Sequence, residues 1–79
     1  MIQLYNVTKN KDGTVTMVCH VIDRIENQDF SLTFNLDTRE ILSDMEGIDE
    51  YYADHAVLHI YYRLKAGEPL PSKAIAKWV

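Results

Sequence analysis

The sequence predicts an α+β fold: a three- or four-stranded antiparallel sheet packed by one long helix, with a short C-terminal helical segment. Three observations predict it. A turn signature, Asn10-Lys11-Asp12-Gly13-Thr14, joins two apolar-rich segments. Residues 30–37 alternate strictly between apolar and polar. Residues 49–66 carry an apolar stripe at helical spacing between an N-cap and a Gly-x-Pro stop.

The first two strands follow from the turn. Asn accepts local backbone bonds, Asp tolerates the bridge region and Gly alone takes positive φ freely, so Asn10 should pair with Thr14 around Gly13. Unbroken antiparallel register from that pair sets Lys9 opposite Val15, Val7 opposite Met17 and Tyr5 opposite Cys19. The bulky face is then Tyr5, Val7, Met17 and Cys19. Leu4 opposite His20 and Ile2 opposite Ile22 fall on the other face with Asn6, Thr8, Thr16 and Val18, which leaves that face only partly polar.

A polar connection over residues 23–29 leads to the third strand, where Phe30, Leu32, Phe34 and Leu36 alternate with Ser31, Thr33, Asn35 and Asp37. Asp37-Thr38-Arg39 can turn the chain so that Glu40-Ile41-Leu42 returns as a short fourth strand, or the same residues can run as a loop into the helix. Ser43 with Glu46 three residues later fits a capping box, so a single helical turn is expected there, ended by Gly47. Asp49 caps the long helix, Ile48 staples onto Ala53, and Gly67 followed by Pro69 stops it near Ala66. After the extended Glu68-Pro69-Leu70-Pro71, Ser72 is a second N-cap, and residues 73–79 read as a last helical turn or two carrying Ile75 and Trp78.

The long helix is apolar on two sides. Ala53, Ala56, Val57, Ile60 and Leu64 form the stripe that should meet Tyr5, Val7, Met17, Cys19, Leu32 and Phe34 of the sheet. The opposite side carries Tyr51, His55, Leu58 and Tyr62, flanked by His59 and Tyr52, where a solvated face would show Glu, Lys and Gln. Three coverings fit it. The C-terminal segment can fold back and lay Leu70, Ile75 and Trp78 over Leu58 and Tyr62. A second copy can pack its own stripe there, or another protein can dock. The expected interface residues are therefore Tyr51, His55, Leu58, His59, Tyr62 and Trp78.

Charge and cysteine content narrow the class. The 79 residues hold 8 Lys and Arg against 12 Asp and Glu, a net charge of −4, so the basic footprint that supplies most nucleic-acid affinity is missing. One cysteine, Cys19, permits no intrachain disulfide and favours a reducing, cytoplasmic setting. No apolar run reaches the roughly 18 residues of a membrane span, and residues 1–8 lack a signal-like basic and apolar sequence. Residues 1–79 are expected to form one domain.

Chemistry finds little purchase. His55 and His59 have the helical spacing of two zinc ligands, but position 56 is Ala where the zincin pattern has its Glu, and His20 lies on the wrong sheet face to complete the set. Cys19 and His20 are consecutive on a strand and point to opposite faces, so they cannot act as nucleophile and base together. No metal, cofactor or catalytic activity is expected. Residues 37–54 gather seven acids, Asp37, Glu40, Asp44, Glu46, Asp49, Glu50 and Asp54, against Arg39 alone. The expected role is a protein-interaction or assembly module, paired with another protein or with itself. The alternative is an acidic, phage-type phosphate mimic that occupies a basic groove on a partner.

Overall fold

A computed structural model describes residues 1–22 and 28–78. In chain order these form β1 (Ile2–Lys9), β2 (Thr14–Val21), β3 (Gln28–Asn35), α1 (Glu50–Lys65) and β4 (Lys73–Ala76). The sheet is four-stranded and antiparallel in the order β3-β2-β1-β4, so the fold is α+β. Most of the connection expected over residues 23–29 lies outside the described residues, but its last two positions, Gln28 and Asp29, already belong to β3. Among the described residues no helix is long and apolar enough to cross a membrane.

The β1–β2 turn closes as its residues dictate: the Asn10 amide donates to the Thr14 carbonyl at 2.8 Å, and Gly13 takes φ 84°. Lys9 meets Val15 and Thr8 meets Thr16, but the register shifts between Tyr5 and Thr8. Beyond the shift Tyr5 faces Val18, Leu4 faces Cys19, Gln3 faces His20 and Ile2 faces Val21, each one position from the unbroken register. The shifted stretch contains Asn6 at φ 54°, in the left-handed region. This β-bulge puts Ile2, Leu4 and Val7 together under the helix and sends Tyr5 to the open face. The energetics favour it, since burying Ile2 and Leu4 is worth about 1.5–3 kcal/mol each, against about 1–2 kcal/mol for a left-handed residue, less for Asn. Tyr5 is therefore not a core residue.

After β3 the chain runs back along the sheet edge. The Asn35 amide donates to the Glu40 carbonyl at 2.8 Å and the Leu42 amide to the Thr33 carbonyl at 2.8 Å, yet only Ile41 makes a ladder bridge, with Phe34. Residues 40–42 are thus a single bridge and not a strand. The expected helical turn from Ser43 does not form either. Ser43 Oγ accepts from the Thr33 amide at 3.0 Å, so the hydroxyl that would cap a helix closes the edge of β3 instead. Asp44 Oδ1 accepts from the Glu46 amide, and the chain turns at Gly47. Asp49 then caps α1, its Oδ1 accepting from the Tyr51 amide at 3.0 Å, and the helix ends beyond Lys65 with Gly67 at φ 83°.

The C-terminal segment is a strand where a helix was expected. Seven residues in a helix would leave most of their backbone groups unpaired after a costly nucleation step. The free edge of β1 supplies partners directly: Ile2 pairs with Ala76, Gln3 with Ile75, Leu4 with Ala74 and Tyr5 with Lys73, and the Val7 amide donates to the Ser72 carbonyl. α1 crosses over the face that carries Met17, Cys19, Leu32 and Phe34, burying Ala53, Ala56, Val57 and Ile60. The two alanines let the helix approach the sheet beside Phe30 and Phe34.

Two stability outcomes follow. Asn6→Gly should leave the melting temperature unchanged or raise it, whereas Asn6→Val should cost about 1–3 kcal/mol in urea unfolding, because a β-branched residue resists the left-handed region. Ile60, 0% exposed, should lose about 2–5 kcal/mol on Ile60→Ala as a cavity opens between helix and sheet.

Candidate functional site

The outward side of α1 is where β4 and the helix meet in unusual chemistry. Strand alternation turns Ala74 and Ala76 toward the helix, and Trp78 continues on that side. Its indole stacks on His55 with ring centres 4.1 Å apart and planes 3° from parallel. It also meets Tyr51 and Tyr52 at 5.9 Å each, and its Nε1–H donates to the Tyr51 hydroxyl at 2.7 Å. One tryptophan thus packs on the N-terminal half of the second apolar stripe.

The rest of that stripe stays open. Ile75 was expected to help cover Leu58 and Tyr62, but it pairs with Gln3 on the far side of β4 and is 50% exposed. Leu70 packs against the core. Leu58 is half-buried, and Tyr51 and Tyr62 are 54% and 58% exposed. The outward ridge of α1 therefore runs Tyr51, Leu58, Tyr62, with Asp54 and Lys65 at its side.

Beside this ridge, between the C-terminal half of α1 and the end of β4, lies a cleft of about 420 Å³. Leu58, His59, Tyr62 and Arg63 form one wall, and Lys77 and Trp78 the other. His59 Nε2 and Arg63 Nε are both sealed from water without a hydrogen-bond partner. Glu68 Oε2 stands 3.8 Å from Arg63 Nε, a loose ion pair beyond hydrogen-bond reach. Burial holds His59 below the usual imidazole value, and the Arg63 charge pushes it the same way. His55 stacks on Trp78, and both His55 and His59 line the cleft. Among the described residues no three His, Cys, Asp or Glu side chains gather as a metal site.

The acids of residues 37–54 are mostly exposed to solvent. Asp37, Glu40, Asp44, Glu46, Glu50 and Asp54 are exposed, and Asp49 is half-buried at the helix cap. Arg39 sits among them, its guanidinium 4.9 Å from the Tyr61 ring centre, and lines a hollow with Asp54.

A second polar cluster on the open sheet face was not anticipated. Asp29 accepts from the Tyr5 hydroxyl at 3.3 Å on one oxygen and is hydrogen-bonded to His20 Nδ1 on the other, tying β1, β2 and β3 together. Gln3 and Lys73 line the same shallow hollow. Desolvation and the Asp29 charge raise the Tyr5 phenol above its ordinary value. The cluster escaped notice because the unbroken register puts Tyr5 in the core; the clue was the opposite parity of Ile2 and Leu4 against Val7 around Asn6. Cys19 lies on the other face, buried, its thiol pushed up to about 12 by desolvation, so it offers this cluster no nucleophile.

Comparison of the chain with family models, with curated proteins and with solved structures finds no match. The site's own geometry carries the functional reading.

The lowered His59 value fixes a sign. The unfolded chain protonates this imidazole at a higher pH than the folded one, so stability falls as pH drops through about 6.5 and is retained above it. Melting temperatures measured from neutral pH down to pH ~5 should fall less in His59→Gln than in the native protein.

Proposed function

We propose that the chain is a single-domain assembly module that pairs with a second copy through the outward ridge of α1, with no chemistry of its own. The observation that carries this reading is the exposure of Tyr51 and Tyr62 at 54% and 58% on either side of Leu58, after Trp78 has covered all of the stripe that it reaches. Tyrosines supply wide contact area with few rotors to freeze, and their hydroxyls reach the wet rim. A short chain also gains stability from the added burial.

Charge order selects the geometry. Glu50 and Asp54 stand near the helix start, Arg63 and Lys65 near its end. An antiparallel two-fold contact centred on Leu58 sets position 54 of one copy opposite position 62 of the other, with Asp54 beside Lys65 and Tyr51 against Lys65. The opposed helix dipoles add to the match. A parallel pairing would instead set like charges together. Docking of the acidic stretch on a basic partner is less well supported, because Asp49 and Asp44 already bind backbone amides and Arg39 interrupts the field. A reducing cytoplasm suits the lone, buried Cys19.

Sedimentation at high micromolar concentration should give a dimer. Leu58→Glu and Asp54→Lys should each shift it to monomer, and adding Lys65→Asp to Asp54→Lys should restore the dimer by exchanging the signs of the pair. A native protein that sediments as monomer defeats the proposal.

A further inference from the structure

The cleft beside the ridge has unfilled polar valences and apolar walls, all from one chain. Buried polar nitrogens without partners each cost about 1–3 kcal/mol, so two of them in one wall call for a partner, and the guanidinium Nε–H calls for an acceptor. Here they are Arg63 Nε and His59 Nε2, and the exposed Lys77 also lines the cleft. The native counterion does not fill the role, since Glu68 remains 3.8 Å from Arg63 Nε and is 55% exposed. Trp78, Tyr62 and Leu58, with His55 and Ala76, supply the remaining lining. At about 420 Å³ the space matches small-ligand pockets, which combine an apolar lining with a few convergent polar groups.

We infer that this cleft binds a small planar carboxylate, its anionic end on the Arg63 guanidinium and Lys77 and its flat apolar body between Trp78, Tyr62 and Leu58. The planar guanidinium matches a carboxylate through two parallel hydrogen bonds, which Arg63 makes by releasing its loose contact with Glu68 and turning its sealed Nε toward the cleft. Charge decides between oxyanions. Arg63 and Lys77 against Glu68 leave one net positive charge in the cleft, which complements a monoanion and leaves a phosphate monoester over-charged. The site does not depend on the second copy, because every donor belongs to the same chain.

The chain has one tryptophan, and it lines the cleft, so its fluorescence reports occupancy directly. Benzoate should produce a saturable change in the native protein and equally in Asp54→Lys, the variant expected to be monomeric. Benzyl alcohol, with the ring but no charge, and acetate, with the charge but no ring, should produce none over the same concentrations. Phenyl phosphate should bind more weakly than benzoate. Arg63→Gln and Lys77→Gln should each weaken benzoate by about tenfold, while Lys65→Gln, outside the cleft, should not. Lys77→Gln decides the matter if melting curves show Arg63→Gln unfolded. The proposal is overturned if benzoate gives no saturable change, if benzyl alcohol matches it, if phenyl phosphate binds more tightly, or if both cleft variants bind as the native protein does. Benzoate binding lost in Asp54→Lys overturns it also, by assigning the site to the junction between copies.

Discussion

β1 has to serve a helix on one face and neighbours on both edges, yet its apolar residues do not share a parity. Ile2 and Leu4 are even, Val7 is odd, and a regular strand can bury one set only. The bulge at Asn6 resolves this by inserting one residue in the left-handed region, which Asn tolerates better than any bulky side chain. Everything built on β1 inherits that choice. Leu4 comes to face Cys19 and Ala74 within the covered layer, and Tyr5 moves to the open face where it reaches Asp29. Without the inserted residue, Ile2 and Leu4 would stand in water and the Tyr5-Asp29-His20 cluster would not assemble.

The outer side of α1 depends on β1 at one remove. β4 finds its register on the edge of β1, with Ala76 opposite Ile2, and this fixes the point at which Trp78 leaves the sheet. Alternation does the rest: Ala74, Ala76 and Trp78 share the helix side while Lys73 and Ile75 face outward. A shift of one residue would have exchanged Trp78 for Lys77 against His55. The tail therefore divides the second stripe: Trp78 stacks on His55 and touches one side of Tyr51, while Leu58 and Tyr62 stay accessible, with the Arg63 cleft at the boundary.

Electrostatics separates the two ends of the helix. Asp49 spends its carboxylate on the Tyr51 amide, so it stabilises α1 and contributes little to a docking field. At the other end Arg63 and Lys65 complement the helix dipole, but they differ in surroundings. Lys65 donates to the Tyr61 hydroxyl on the exposed side, whereas Arg63 lies in the cleft wall with Nε unpartnered. The same pair of basic residues thus gives one group for a charged rim and one for a binding pocket.

Sequence alone determined the elements whose signals are local. The Asn10–Thr14 turn needs a glycine at positive φ, the β3 alternation has period two, and α1 has its own cap, stripe and stop, so each could be read without its neighbours. The second apolar stripe of α1 was legible for the same reason, as a helical pattern with too few polar residues. Only the tertiary structure decided the register of β1, the strand at residues 73–76, the diversion of Ser43 to the edge of β3 and the Asp29 cluster. In each of these the local preference is weak or divided, and the outcome is set by backbone groups or apolar surface that a distant segment must satisfy. Ser43 is a sound helix cap by sequence, but its hydroxyl accepts from the Thr33 amide; seven C-terminal residues could turn once as a helix, but β1 offered a whole edge.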